Sequence, residues 1–182
     1  MRVDRAFIGN PQDKIECESV QTAIEKFREI LRNVQLERSA SGPSKSIKEA
    51  LDSVLDLSGW EKKFLFSREA HSSLPNANYT VNYLYVEQKC ECGFRHKVFL
   101  HVCFDNRQAI GTHLLRFKLA LDTDAKQKID KPVAVAIVLD TSSKAAFGWD
   151  NSAATFEEFA HALELEYAEI FSLPLHFLIL RS

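Results

Sequence analysis

The sequence predicts an α/β fold in three layers, a mixed central sheet flanked by helices, and three observations carry that prediction. Residues 79–88, YTVNYLYVEQ, and 98–104, VFLHVCF, are strand-like runs joined through CECGFRHK, where Gly93 can reverse the chain: a β-hairpin. Residues 131–140, KPVAVAIVLD, form an unbroken apolar run, as expected of a strand covered on both faces. Between them Ile110, Leu114, Phe117 and Leu121 recur at helical spacing, with Leu115 and Leu119 widening the face. Strand, helix and strand over 98–140 then make a parallel pair joined by a right-handed crossover.

The remaining elements follow in chain order. Cys17, Val20, Ala23, Ile24, Phe27, Ile30, Leu31 and Val34 form a helical apolar stripe opposite a charged face, which makes Cys17 a core residue. ERSASGPSKS, 37–46, is a loop by composition. Ser46 and Glu49 make a capping box for a second helix with Ile47, Ala50, Leu51, Val54 and Leu55 inward, stopped by Gly59. KKFLFS, 62–67, reads as a short strand and SSLPNAN, 72–78, as a turn. After the loop TSSKAAFGWDNSAA, Thr155 and Glu158 make another capping box. The helix they open turns Phe156, Phe159, Ala160, Leu163, Tyr167, Ile170 and Phe171 inward, and LPLHFLIL, 173–180, is a closing strand.

Bulk properties narrow the class. The 182 residues suit one domain with a proper core. Apolar residues at 46% and charged residues at 26% are ordinary for a globular protein. No apolar run reaches the roughly 18 residues of a membrane span, so no membrane association is expected. MRVDRAFIGNPQDK lacks the apolar core of a signal peptide, so a cytoplasmic location is the default expectation. The net charge of −2 supplies no global field for nucleic acid, so any phosphate contact has to come from a local patch. Four cysteines in this length are not a disulfide framework.

HVCFDNRQAIGTHLLRFKLA, 101–120, resembles the stretch that follows the catalytic strand in restriction endonucleases of the BglII type, within the PD-(D/E)xK superfamily. Residues 133–180 are similar to the C-terminal part of that family in their succession of apolar strand, Asn-Ser loop, long helix and Pro-containing last strand. The resemblance spans roughly 60–180 and implies a single unit, 1–182, with a helical part at 1–60 and a nuclease-like core at 61–182. It implies a type II, restriction-endonuclease-like protein that binds duplex DNA as a homodimer and hydrolyses phosphodiesters with Mg²⁺ held by hairpin carboxylates. A methyltransferase partner is also implied. The family's acidic position falls on His101 and its Gln or Lys position on Cys103, while the upstream acid falls on Glu87 or Asn82. Glu87, His101 and Cys103 are therefore expected to converge as a catalytic metal site. A second registration matches Pro75-Asn76 and Glu87-Gln88-Lys89 to the nuclease signature, with Lys89 positioning the attacking water. Imidazole and thiolate suit softer metals than Mg²⁺.

Other readings stand beside these. Cys90, Cys92, His101 and Cys103 offer two ligand pairs on facing strands, with His96 in the turn, and make an alternative zinc site; plain reduced thiols are the commoner outcome. The turn Asp105, Asn106, Arg107, Gln108 reads either as a solvated loop capping the next helix or, by the resemblance, as a DNA-facing segment joined by Thr112, Asn151 and Ser152. Arg116 and Lys118 read as solvated charges, Trp149 as a core anchor or a stacking platform, and His113, His161 and His176 as structural histidines. A DNA-binding relative without catalysis and a zinc-stapled interaction protein are the competing functions.

Overall fold

The protein is described by a computed structural model, in which residues 1–9, 17–34, 47–49, 51–53, 60–62, 80–87, 90–124, 130–146, 148–149, 152–166 and 174–182 are defined. The elements run β1 (Arg2–Ile8), α1 (Glu18–Asn33), α2 (helical at 47–49 and 51–53), β2 (Trp60–Lys62), β3 (Tyr83–Glu87), β4 (Arg95–Val102), α3 (Ile110–Asp124), β5 (Asp130–Leu139), α4 (Phe156–His161, followed by a π-helical turn) and β6 (Leu175–Arg181). They build one six-stranded sheet in the order β1-β6-β5-β4-β3-β2. The expected α/β class and mixed sheet are thus present.

The expected crossover joins β4 to β5 in parallel, and a second one sets β6 parallel to β5. The hairpin pairs Tyr83 with Leu100 and Glu87 with His96, and its reversal uses Gly93 at φ +79°, a left-handed conformation that glycine adopts without a Cβ clash. One strand escaped the sequence reading. RVDRAFI, 2–8, inside the part expected to be helical, lies antiparallel on β6, pairing Arg2 with Arg181. Its charged residues suit a sheet edge, where they discourage further pairing. KKFLFS was expected as a strand from residue 62, whereas β2 covers Trp60–Lys62 and 63–67 lie outside the described residues. Ser46, Val54, Leu55 and Gly59 lie there too, as do Tyr167, Ile170, Phe171 and the turn at 72–78.

Strand alternation divides the core. On one face Val98, Leu100 and Val102 of β4 and Val133, Val135, Ile137 and Leu139 of β5 pack with Val20, Ile24, Phe27 and Leu31 of α1 and with Ile47 and Leu51. On the other, Ala134, Ala136 and Val138 of β5 and Phe177 and Ile179 of β6 meet Ile110, Leu114 and Phe117 of α3 and Phe159. Each such fully buried Leu or Phe contributes roughly 1.5–3 kcal/mol. The alanines matter for the site, because small side chains beside β4 leave room for the rings of α3.

Both hydrogen bonds of the expected Thr155/Glu158 capping box form, and they fix the start of α4. Trp149 is half-buried against Phe104, ring centroids 5.0 Å apart, which favours the core anchor. No helix among the described residues is long and apolar enough to cross a membrane.

Candidate functional site

The carboxyl ends of the parallel strands β4 and β5 are where an open α/β sheet binds ligands, because the connecting loops diverge there. Here those loops are tied together. Asn106 bridges Ala153, Arg107 N–H donates to the Ser152 carbonyl at 2.8 Å, and Ala154 N–H donates to the Asp105 carbonyl at 2.9 Å. The two segments expected to face DNA, 105–108 and the loop around Ser152, are therefore neighbours; Asn151 lies outside the described residues. Asp105, Asn106, Arg107, Gln108 and Thr112 are exposed and Ser152 is half-buried. Asn106 also caps, its Oδ1 accepting from Gln108 N–H at 3.0 Å. Arg107 sits 3.5 Å from Glu158, and a cavity of about 510 Å³ opens beside them, lined by Gln108, Glu157 and His161 among others.

Beneath this loop lies a buried cluster. His101 of β4 and Cys103, just past its end, lie against α3, where His113 meets them, and their ligand-capable atoms lie within 4.8 Å of one another. His113 is fully buried and His101 nearly so. Arg116, expected to be a solvated charge, reaches back along α3 instead. Its Nη1 is 3.0 Å from His101 Nε2 and 3.2 Å from His113 Nδ1. A guanidinium only donates, so both nitrogens accept, and the ring protons fall on His101 Nδ1 and His113 Nε2. His113 Nε2 then faces Asp105 Oδ2 at 3.3 Å. That hydrogen bond, opposed by partial burial, holds the Asp105 carboxyl below its ordinary range. Burial first, then the neighbouring His113 ring and the Arg116 guanidinium, pushes His101 well below the usual imidazole value, so it stays neutral. Burial first, then the charge of Asp105, raises the Cys103 thiol far above its usual range, which keeps it protonated and inert.

The expected metal triad does not assemble. Glu87 pairs with His96, five residues along β4 from His101, or ~16 Å at ~3.3 Å per residue. Asn82, at the start of β3, lies by His101 instead, its Oδ1 accepting from Val102 N–H at 2.7 Å. Pro75, Asn76, Gln88 and Lys89 fall outside the described residues. The alternative zinc set divides as well. His101 and Cys103 belong to the α3 cluster, while Cys90 and Cys92 lie with His96 and with Cys17, the half-buried N-cap of α1, which packs against the rim of the core.

Sequence reasoning missed His113 and Arg116. Their i, i+3 spacing was the available signal, since it puts both on one face of α3. His176 is buried in β6, its ring tilted against that of Phe7 with centroids 4.8 Å apart.

The chain in its full length is similar to the crystal structure of restriction endonuclease BglII complexed with a DNA 16-mer, with a TM-score of 0.67, 17% identity and 79% of that chain covered. The fold is restriction-endonuclease-like. No family model and no curated protein sequence matches the chain. At 17% identity the likeness is one of architecture, and the residues at the carboxyl end of β4 have to be judged on their own chemistry.

Proposed function

We propose that this protein binds duplex DNA across the carboxyl end of β4 and β5, and that its restriction-endonuclease-like centre has lost Mg²⁺-dependent hydrolysis. The observation that carries this reading is the His101–Arg116–His113 bridge. Mg²⁺ requires several oxygen ligands in an octahedron. The donors at the end of β4 are two imidazoles, a protonated thiol and a guanidinium, with Asp105 as the nearby carboxylate. Arg116 lends both imidazole lone pairs a fixed positive charge where a metal would otherwise draw on them. Among the described residues, the other acids at this end are engaged: Asp140 by Arg181 and Ser142, Glu157 by Thr141, Glu158 by Thr155, Arg107 and Lys144. These residues do not fit Mg²⁺.

DNA contact would come from Arg107, Gln108 and Asn106 in the exposed turn. Their geometry suits base edges and phosphate oxygens. Lys48 of α2 is within electrostatic reach of His101 and Asp105 and adds local positive charge at the same end. A two-fold homodimer on a palindromic duplex belongs to the same reading, with the mass measured by light scattering as its check.

The test measures anisotropy of a labelled duplex over a salt series, alongside supercoiled plasmid incubated with Mg²⁺ or Mn²⁺. Salt-dependent binding without nicking is expected. Absence of binding at low salt would remove the DNA reading. Nicking lost in Asp105→Asn would instead make the protein a hydrolase that uses its exposed carboxylate, and nicking lost in Glu87→Ala would return Glu87 to the mechanism.

A further inference from the structure

At the other end of β4, four side chains that the DNA reading does not use converge on one point. Cys17 caps α1, Cys90 follows β3, Cys92 lies in the hairpin turn and His96 is the second residue of β4. Their ligand atoms all lie within 4.8 Å of one another. Cys92 Sγ is 2.8 Å from Cys90 Sγ and 3.1 Å from His96 Nε2, and the sulfurs of Cys17 and Cys90 stand at bonding distance, as in a disulfide. We propose that Cys17, Cys90, Cys92 and His96 form a structural zinc site that staples the start of α1 to the β3–β4 hairpin.

The donor set is the first support. Three thiolates and an imidazole are a closed tetrahedral ligand set for Zn²⁺, with bonds of about 2.3 Å to sulfur and 2.0 Å to nitrogen. Sulfurs on such a tetrahedron stand about 3.8 Å apart. The side chains reach that spacing by moving outward by less than about 1 Å each, well within what a Cys rotamer allows.

A Cys17–Cys90 disulfide is the competing account, and the backbone speaks against it. The two Cα atoms are 7.5 Å apart, beyond the 4.4–6.8 Å that a disulfide usually spans. A disulfide is also one-to-one. It would leave the Cys92 thiol and the His96 ring aimed at the same point with no shared purpose.

The surroundings suit thiolates. Cys17 sits at the amino end of a 16-residue helix, whose dipole favours negative charge, and its sulfur makes no capping hydrogen bond. Ser19 Oγ lies 3.3 Å from Cys17 Sγ and 3.4 Å from Cys90 Sγ, an outer-shell hydroxyl of the kind that orients metal ligands. His96 is buried and Cys92 exposed, so the ring is fixed while one side of the site stays open to solvent for metal entry. The staple links positions 73 residues apart, which removes much chain entropy from the unfolded state.

The experiment is metal analysis of the full-length protein purified without chelator, with non-reducing mass spectrometry of the same sample. About one zinc per chain is expected. Cys92→Ser and His96→Gln should hold little or none, whereas Cys103→Ser, outside the site, keeps it. Because a ligand variant can fail to fold, the wild-type protein is also reloaded with Co²⁺, whose visible spectrum should report thiolate ligation in a tetrahedral field. Metal-free wild type, or a chain lighter by two hydrogens with Cys17 and Cys90 linked, overturns the proposal. So does zinc retained by folded Cys92→Ser and His96→Gln. None of these outcomes depends on duplex binding.

Discussion

Strand β4 carries a nitrogen–sulfur cluster at each end, and the two behave as opposites. At its carboxyl end His101 and Cys103 meet His113 in a buried cluster, and a guanidinium bridges the imidazoles. Near its amino end His96 meets three cysteines beside a helix amino terminus, with Cys92 in solvent. The donor atoms are similar. What differs is the charge already supplied by the fold: one cluster contains its own cation, the other gathers groups that become anionic thiolates and need one. Ligand type is therefore a poor guide to metal binding until the resident charges have been counted.

The largest expected effect comes from stripping metal. A strong chelator with reductant should lower the Tm of wild type by about 10 °C or more, since structural zinc contributes folding free energy directly. His101→Gln should leave that chelator response intact, and a thermal-shift series on both proteins is the check. An equal Tm with and without chelator would make the two ends of β4 alike.

Removing the resident cation should invert the second cluster. Arg116→Ala leaves two imidazole nitrogens without their donor, at a cost of about 2–4 kcal/mol read from urea midpoints. It should also let His101, Cys103 and His113 take up soft metal, so the folded variant gains zinc over wild type when both are dialysed against the same Zn²⁺ buffer. No gain would mean that burial, and not Arg116, keeps metal out.

The pH dependence is smaller and has a definite sign. His101 is held neutral in the folded state, while in the unfolded chain it titrates near 6.5. Below that pH the unfolded state binds the extra proton, so stability is complete above 6.5 and falls as the solution is acidified. The slope is at most ~1.4 kcal/mol per pH unit. His101→Gln should flatten the urea-midpoint profile just below 6.5. The contribution of Asp105, whose pKa is lowered from 3.8, is lost only further down, as the pH falls through its folded value.

The smallest effect concerns the loop. Glu158→Gln keeps the capping box, which accepts Gln, yet relieves Arg107 of its carboxylate. Duplex affinity should rise a few-fold, with a small drop in Tm as buried Lys144 loses its neighbouring carboxylate. Arg107→Ala should lower affinity and reduce the salt slope by about one.

Much of the architecture was legible because it rests on short-range patterns. The period-two hairpin, the β5 apolar run and the Thr155/Glu158 cap each announce themselves within about ten residues. β1 did not, because an edge strand such as RVDRAFI buries only Val3 fully and carries charges elsewhere. The sites were legible in residue type and not in membership. Cys17 matches a helical stripe as well as it matches a ligand, and only the packing of α1 on the hairpin brings it to Cys90. Arg116 reads as a solvated charge and His113 as an ordinary structural histidine until Ala134 and Ala136 let α3 settle close to the sheet. Glu87 was joined to His101 by the family resemblance, and the strand register keeps it away.

The partnership of β1 with β6 has a temporal side. Arg2 pairs with Arg181 and Ile8 with Leu175, so β1 leaves the ribosome long before the strand that will be its neighbour. Until β6 emerges, β1 has nothing to pair with and the outer side of β5 stands open, so the growing chain exposes a sticky margin. Sheet closure of this long-range kind is slow to nucleate. Synthesis of this protein thus carries a hazard of aggregation that lasts until β6 is made, after the β4, α3 and β5 unit has already had time to form.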